Sequence, residues 1–240
     1  QLKLTHYYYD CGQKEPMMQW FMPLLKAHYP PALLSKADFT LRQNPQQGVA
    51  FLLELAEHKM PGANYRVAML AYFHPEIPLN FADHLTLACQ AGEPAAVIAA
   101  VSLFYQLGHD EQAARLLSQH QQDATIAALT SALGLTPQSQ SQSKQGDVDF
   151  TLLTRPSPPD YQPQVIADEI NLVTIDHFLS DFDCEWLKLR ASEELELAKV
   201  VDGDSGKQIL SEVRNCEFAQ LLPAHEDWLL LDFEFRIANV

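Results

Sequence analysis

Ala95-Ala96-Val97-Ile98-Ala99-Ala100-Val101-Ser102-Leu103-Phe104-Tyr105-Gln106-Leu107 is apolar on nearly all sides. Such a run predicts a helix packed between neighbours, since a helix lying on a surface keeps one polar face. It is too short to cross a bilayer, and Ser102 interrupts it. Pro94 suits the first helical turn, where its missing N–H would have no partner anyway, and Gly108 ends the helix.

A buried helix needs others around it, and residues from about 14 to 134 supply them. Pro16 to His28 places Met17, Trp20, Phe21, Leu24 and Leu25 at three- and four-residue steps, after which Pro30 and Pro31 break the pattern. Gln47 to His58 carries Val49, Leu52, Leu53 and Ala56 on one face, and Pro61-Gly62 closes it. Helices are predicted over Ala63 to Phe73 and Phe81 to Ala91. Two more are predicted from Glu111 to Gln119 after an Asp110 cap and from Ala124 to Leu133 after an Asp123 cap.

Gly62 and Gly92 lie 30 residues apart before comparable Ala-rich helices, a spacing in the range of α-solenoid repeats. Gly62-Ala63-Asn64-Tyr65-Arg66-Val67-Ala68-Met69 and Ala91-Gly92-Glu93-Pro94-Ala95-Ala96 resemble helix starts of Sel1-like or tetratricopeptide repeats. A non-repetitive helical bundle is the other reading.

The grammar then changes. Pro137 to Gly146 reads P-Q-S-Q-S-Q-S-K-Q-G and has no apolar residue to bury, so residues 136–147 are expected to be a linker. Beyond it, strands are predicted at Val148 to Leu153, Asn171 to Ile175, Lys199 to Asp202 and Ile209 to Val213. Helices are predicted from about Phe182 to Ala198, capped by Ser180 or Asp181, and from Asp227 to Ala238. The expected organisation is α+β: an all-α, hairpin- or solenoid-like domain over 1–135, then a mixed domain over 148–240.

The chain has 240 residues and a mass of 27.0 kDa, enough for one large domain or two modest ones. Its net charge of −15 repels phosphate backbones and anionic lipid heads, which argues against nucleic acid or a membrane face as partner. Gln1 to Tyr9 lacks the cationic segment and apolar stretch of a secretory signal. Cys11, Cys89, Cys184 and Cys216 are far apart, without C-x-x-C, and are expected to be reduced, mostly buried thiols of a cytoplasmic protein.

In the second half a further resemblance emerges. Val173-Thr174-Ile175-Asp176-His177-Phe178-Leu179-Ser180, with Cys184 three residues past Asp181, is similar to the opening of prolyl 4-hydroxylase-type oxygenases. Their catalytic domains begin with a strand, an I-D-x-F-L-S turn and a helix starting near a Glu-Cys pair, here inverted as Cys184-Glu185. Lys199-Val200-Val201-Asp202 and Gly206-Lys207 come next. Ser211-Glu212-Val213-Arg214-Asn215 then resembles the family's S-x-V-R-x-S segment, with Cys216 where Ser or Thr is commoner. Leu222-Pro223 and a helix ending Phe235-Arg236-Ile237-Ala238 also match, since R-I-A is frequent there. The resemblance covers roughly residues 166 to 240.

It implies a non-haem iron(II), 2-oxoglutarate-dependent dioxygenase acting on a prolyl residue of a peptide or protein. Such enzymes hold iron with two His and one carboxylate on a double-stranded β-helix, through an H-x-D and a distal His, with a basic residue for 2-oxoglutarate. The family pattern places these residues beyond Val240. Residues 148–240 are then the incomplete front of that fold, with no iron ligand or catalytic residue assigned and no Fe(II) or 2-oxoglutarate expected on residues 1–240. The strands in this segment are too few to close a sheet, and their edges stay exposed unless a barrel completes them. The resemblance also implies a place for Arg214 near the mouth of the active site, where it would hold a substrate carbonyl or acidic group; a surface ion pair with Glu212 or Glu217 is the alternative.

Other motifs have plainer readings. His225-Glu226-Asp227 has the letters of an iron motif but suits a helix start. His74-Pro75-Glu76 and His109-Asp110-Glu111 fall at turns between helices. Glu54-x-x-x-His58 lacks a partner motif, and Asp83-His84 is expected to be a surface pair. Asp202-Gly203-Asp204-Ser205-Gly206 resembles the start of a calcium loop, yet Val213 occupies the twelfth position, where Glu is needed. The alternative to an oxygenase is a non-catalytic helical-repeat interaction module with Tyr7, Tyr8, Tyr9, Trp20 and Tyr72 as aromatic anchors.

Overall fold

Pro30 and Pro31 open a helix where the sequence pattern predicts a break. They occupy its first turn, where the missing N–H groups cost nothing. The computed structural model describes residues 1–135, 147–157, 161–170, 172–192, 194–201, 206–210, 216–221 and 227–239. Its first nine helices are α1 (Leu2–Asp10), α2 (Lys14–Lys26), α3 (Pro30–Gln43), α4 (Pro45–Glu57), α5 (Ala63–Phe73), α6 (Phe81–Gln90), α7 (Pro94–Gln106), α8 (Asp110–Gln119) and α9 (Ala124–Ala132).

Many of these helices close in the same way. Gly12, His28, Lys59, Gly92, Gly108 and Gly134 take positive φ just past a helix end. In each case the next amide bonds back to a carbonyl of the last turn, as in Glu93 N to Ala88 O at 3.1 Å and His109 N to Phe104 O at 2.8 Å. The chain reverses at such ends, so short connections make helical hairpins: α1 packs on α2, α3 on α4 and α5 on α6.

Two compact units result, Gln1–Ala96 and Val97–Val240, with the division inside α7. In the first unit one core cluster joins Ala37, Leu52, Leu55, Ala56, Ala63 and Val67. Another joins Phe21, Ala32 and Phe39, against which Tyr9 stacks at 3.9 Å between ring centroids. Arg66 is buried and ion-paired to Asp38 at 3.3 Å.

The second unit continues from α7 through α8 and α9 to short strands and two further helices. These are β1 (Gln164–Ala167), β2 (Leu172–Thr174), α10 (Asp181–Ser192), β3 (Glu196–Leu197), β4 (Lys199–Val201), β5 (Gln208–Leu210), β6 (Glu217–Phe218) and α11 (Trp228–Ala238). The architecture is α+β and mostly helical. Among the described residues the strands pair two by two, all antiparallel: β1 with β2, β4 with β5, and β3 with β6. Val165, Ile166, Leu172, Val173, Leu197, Val201, Ile209 and Phe218 on these strands are exposed. The core of the unit contains Leu103, Phe104, Leu117, Leu129, Phe182, Trp228 and Leu229.

Several expectations are corrected. Val148 to Leu153 is not a strand. Asp149 captures the Thr151 N–H and hydroxyl, at 3.1 and 2.6 Å, and winds Phe150–Leu152 into a 3₁₀ turn. The helix expected to reach Ala198 ends at Ser192, and Glu196–Leu197 is already strand. Asp110 is the first residue of α8 rather than its cap, which is His109 without a side-chain bond. The thiols are not mostly buried: Cys11, Cys184 and Cys216 are exposed and Cys89 alone of the four is buried. Cys11 sits in a turn just after α1, and Cys184 lies on the outer face of α10. The Pro137–Gly146 segment and Asp202–Ser205 lie outside the described residues. Among the described residues no helix is long and apolar enough to cross a membrane.

Candidate functional site

The site grows from the start of α10. Ser180 and Asp183 form a reciprocal cap: Ser180 Oγ accepts from Asp183 N, and Asp183 Oδ2 accepts from Ser180 N, both at 3.1 Å. This geometry turns the Asp183 carboxylate inward, where it is fully buried. Ser102 Oγ on α7 donates to its other oxygen at 3.3 Å. Ser102, the interruption in an otherwise apolar helix, is thus placed to meet a buried charge.

From α11 comes the counter-charge. Asp232 and Arg236 are four residues apart and face the same way, with Arg236 Nε 3.0 Å from Asp232 Oδ2. Arg236 Nη2 donates to Asp183 Oδ2 at 3.3 Å and Nη1 donates to the Phe178 carbonyl at 3.1 Å. Gln106 Nε2 donates to Asp232 at 3.1 Å and to Ser102 Oγ at 3.3 Å. The guanidinium also lies 4.8 Å from the Phe233 ring centroid. Burial alone would weaken the Arg236 charge, but Asp232, Asp183 and the Tyr161 phenol outweigh it and hold the guanidinium more firmly protonated than usual. One Arg and two carboxylates thus lock α7, α10, α11 and the turn before α10 together.

Above this network opens a cleft of about 380 Å³. Gln106, Asp183 and Arg236 form part of its lining, with Pro156, Ser157, Tyr161, His177, Phe178, Leu179, Ser180 and Asp181. Tyr161 and Phe178 face each other across 5.0 Å between ring centroids. His177 holds φ 57°, an uncommon conformation for a non-glycine residue, at the tip of the turn.

Among the described residues no three His, Cys, Asp or Glu side chains are grouped so as to hold a metal ion. Arg214, singled out from the sequence, lies outside the described residues, as do Glu212, Leu222-Pro223 and His225-Glu226; Glu217 is exposed on β6. Asp227 caps α11, accepting from Leu229 N and Leu230 N. His74 pairs with Glu76 at 3.3 Å on the surface, and His58 turns its ring to the Glu54 carbonyl at 2.8 Å. His84 is half-buried, 2.9 Å from Asn64 Oδ1, and beside the exposed Asp83; burial disfavours its charged form and the Asp83 carboxylate offsets this only in part. Tyr7 is exposed, whereas Tyr72 is buried.

Sequence reasoning misses the Asp183–Arg236–Asp232 cluster. Its local signals are present: a Ser-x-x-Asp cap at 180–183, an Asp-x-x-x-Arg step at 232–236, and a lone Ser in an apolar helix. Compared with protein-family models, with characterised proteins and with solved structures, the chain gives no match.

Proposed function

We propose that this chain carries the front part of a prolyl 4-hydroxylase-type, 2-oxoglutarate- and Fe(II)-dependent dioxygenase, acting on a prolyl residue of a peptide or protein. One observation carries the reading. The Ile175–Ser180 turn and the Phe235–Ala238 helix end, each of which resembles a piece of the family's sequence pattern, meet through the Arg236 bond to the Phe178 carbonyl across 58 residues of sequence. Asp183, in the helix after the turn, completes the same contact. Pieces that agree with a pattern in chain order and also converge in space make a stronger case than either agreement alone.

The exposed apolar side chains on β1 to β6 support the same reading, because short ribbons of this kind call for a covering layer. A double-stranded β-helix formed with further strands is that layer in our proposal. Iron and 2-oxoglutarate bring the oxygen-activating chemistry; the residues that hold them come after the Arg-Ile-Ala helix in the family's chain order. The contribution of residues 148–240 is to fix the turn, α10 and α11 as one wall. The helical hairpins ahead of it serve as a substrate- or partner-binding module, and a cytoplasmic setting belongs to the same proposal.

The test uses a polypeptide that extends past Val240. Incubated with Fe(II), 2-oxoglutarate, dioxygen and proline-containing peptides, it is expected to add one oxygen atom to a prolyl residue, read by mass spectrometry. Unmodified peptides throughout, from a folded protein, contradict the proposal.

A further inference from the structure

We propose that one face of α8 is a docking site for an extended acidic-aromatic peptide, and that residues 147–153 of this chain fill it in place of a partner's segment. The inference concerns α7 and α8 and does not depend on the oxygenase reading. Residues 147–153 read D-V-D-F-T-L-L, and they lie on these helices as a bound peptide does. Gln112 Oε1 accepts from the Asp149 N–H at 2.9 Å, and Arg115 Nη1 donates to the Asp147 carbonyl at 3.2 Å. Gln112 and Arg115 are three residues apart and so share one face of α8. The segment runs against the helix, its earlier residue meeting the later residue of α8.

In peptide recognition, bonds to the main chain give affinity and side-chain contacts give specificity. Both are present here. Beside the two main-chain clamps, the Phe150 ring lies 6.3 Å between centroids from the fully buried Phe104 of α7, and Leu153 is only 4% exposed. Asp149 Oδ1 accepts from the Thr151 N–H and hydroxyl, which pre-forms the turn that brings Phe150 and Leu153 onto the helices. A ligand shaped beforehand loses less freedom on binding. Asp147, Asp149 and Thr151 stay exposed. The same Thr151 bonds, with a smaller attraction from His109 at the start of α8, hold the Asp149 carboxyl below the usual range, so the ligand is anionic.

The contact is also built to open. Among the described residues no strand pairs with 147–153, and both clamping bonds are exposed to water. A short stretch held by exposed bonds and few buried apolar side chains detaches at less cost than the helices beneath it unfold. A partner segment with the same order of residues meets the same Gln112, Arg115 and Phe104.

The experiment uses a fluorescein-labelled peptide with the sequence of residues 147–153 and follows its binding to the full chain by fluorescence anisotropy. Phe150→Ala loosens the resident segment, so the peptide is expected to bind this variant about tenfold more tightly than the unchanged chain, where the site is filled. Methylating the peptide's Asp149 nitrogen removes the donor to Gln112 and should weaken binding to the variant about fivefold. Gln112→Ala in the same variant should weaken the plain peptide equally and leave the methylated one within about twofold, because both changes remove one bond. No binding to the Phe150→Ala chain, equal binding to both chains, or losses that add overturn the proposal. Hydrogen exchange of the unchanged chain needs no variant. The Leu152 and Leu153 amides should exchange at least about a hundredfold faster than those of Leu103 and Phe104 in α7. Equal protection would show that the segment belongs to the core, and it too overturns the proposal.

Discussion

Arg236 on α11 donates to Asp183 on α10 at 3.3 Å, 53 residues away in sequence and almost completely shielded from water. Replacing Arg236 by Met would leave Asp183 buried without its counter-charge. Breaking a buried pair in this way costs about 3–5 kcal/mol. We expect Arg236→Met to lower stability by that order in urea denaturation. Arg236→Lys should recover only part of it, because one ammonium cannot reach Asp183, Asp232 and the Phe178 carbonyl with the geometry of a planar fork.

Gly48 sits where α4 crosses α3. A Cβ at this position would lie 2.5 Å from the Leu41 side chain and 2.6 Å from the Leu41 backbone. Backbone cannot step aside as a side-chain tip can. Gly48→Ala, ordinarily favourable inside a helix, is expected to destabilise the first unit by about 1–3 kcal/mol, the usual cost of overpacking. At Gly92 the same substitution meets open space and should cost only the strain of its positive φ, about 1 kcal/mol. Paired thermal melts of the two variants check the difference.

Glu93 accepts a hydrogen bond from the Gly62 N–H at 2.9 Å. Burial raises its carboxyl above the usual glutamate value of 4.5, and the Gly62 bond offsets this only in part. A carboxyl with a raised folded-state value holds its proton more readily in the folded chain. Its contribution therefore favours folding below the ordinary value and is lost as the pH rises through the raised one. Glu93→Gln keeps an acceptor for Gly62 without the charge. Relative to the unchanged protein, the variant should be more stable at about pH 7 than at about pH 4. A stability difference that is flat between those pH values would contradict this account of Glu93.

Cys89 is buried, and that burial, with Glu93 nearby, pushes its thiol far above the ordinary range. Since the thiolate is the reactive form, Cys89 should resist a polar thiol reagent in the folded protein. Cys11, Cys184 and Cys216 are exposed and should react. Three thiols titrating in the native state, with the fourth appearing only in denaturant, is the expected result.

Much of the helical architecture is legible in the sequence because it is encoded locally. Ala63–Phe73 is readable to the residue, and the apolar run of α7 to within one residue at each end. The failures share a cause. Pro30-Pro31 reads as a break, but the same residues suit a first turn, and only the helix-forming stretch from Ala32 onward decides between the two. The Tyr7-Tyr8-Tyr9 run of α1 carries weak helical propensity, and the helix is held by packing on α2 and by Tyr9 stacked against Phe39. Strands β1, β3 and β6 are two to four residues long, too short for alternation to show. The candidate site is less legible still, since Asp183 and Arg236 are joined by the tertiary fold and not by any spacing along the chain.

The measurement that bears most directly on the oxygenase reading is the conversion of 2-oxoglutarate to succinate by the polypeptide extended past Val240, with and without Fe(II). We expect succinate only when Fe(II) is present, rising further with a proline-containing peptide. Succinate formation that is absent with Fe(II), or equal with and without it, would contradict the account.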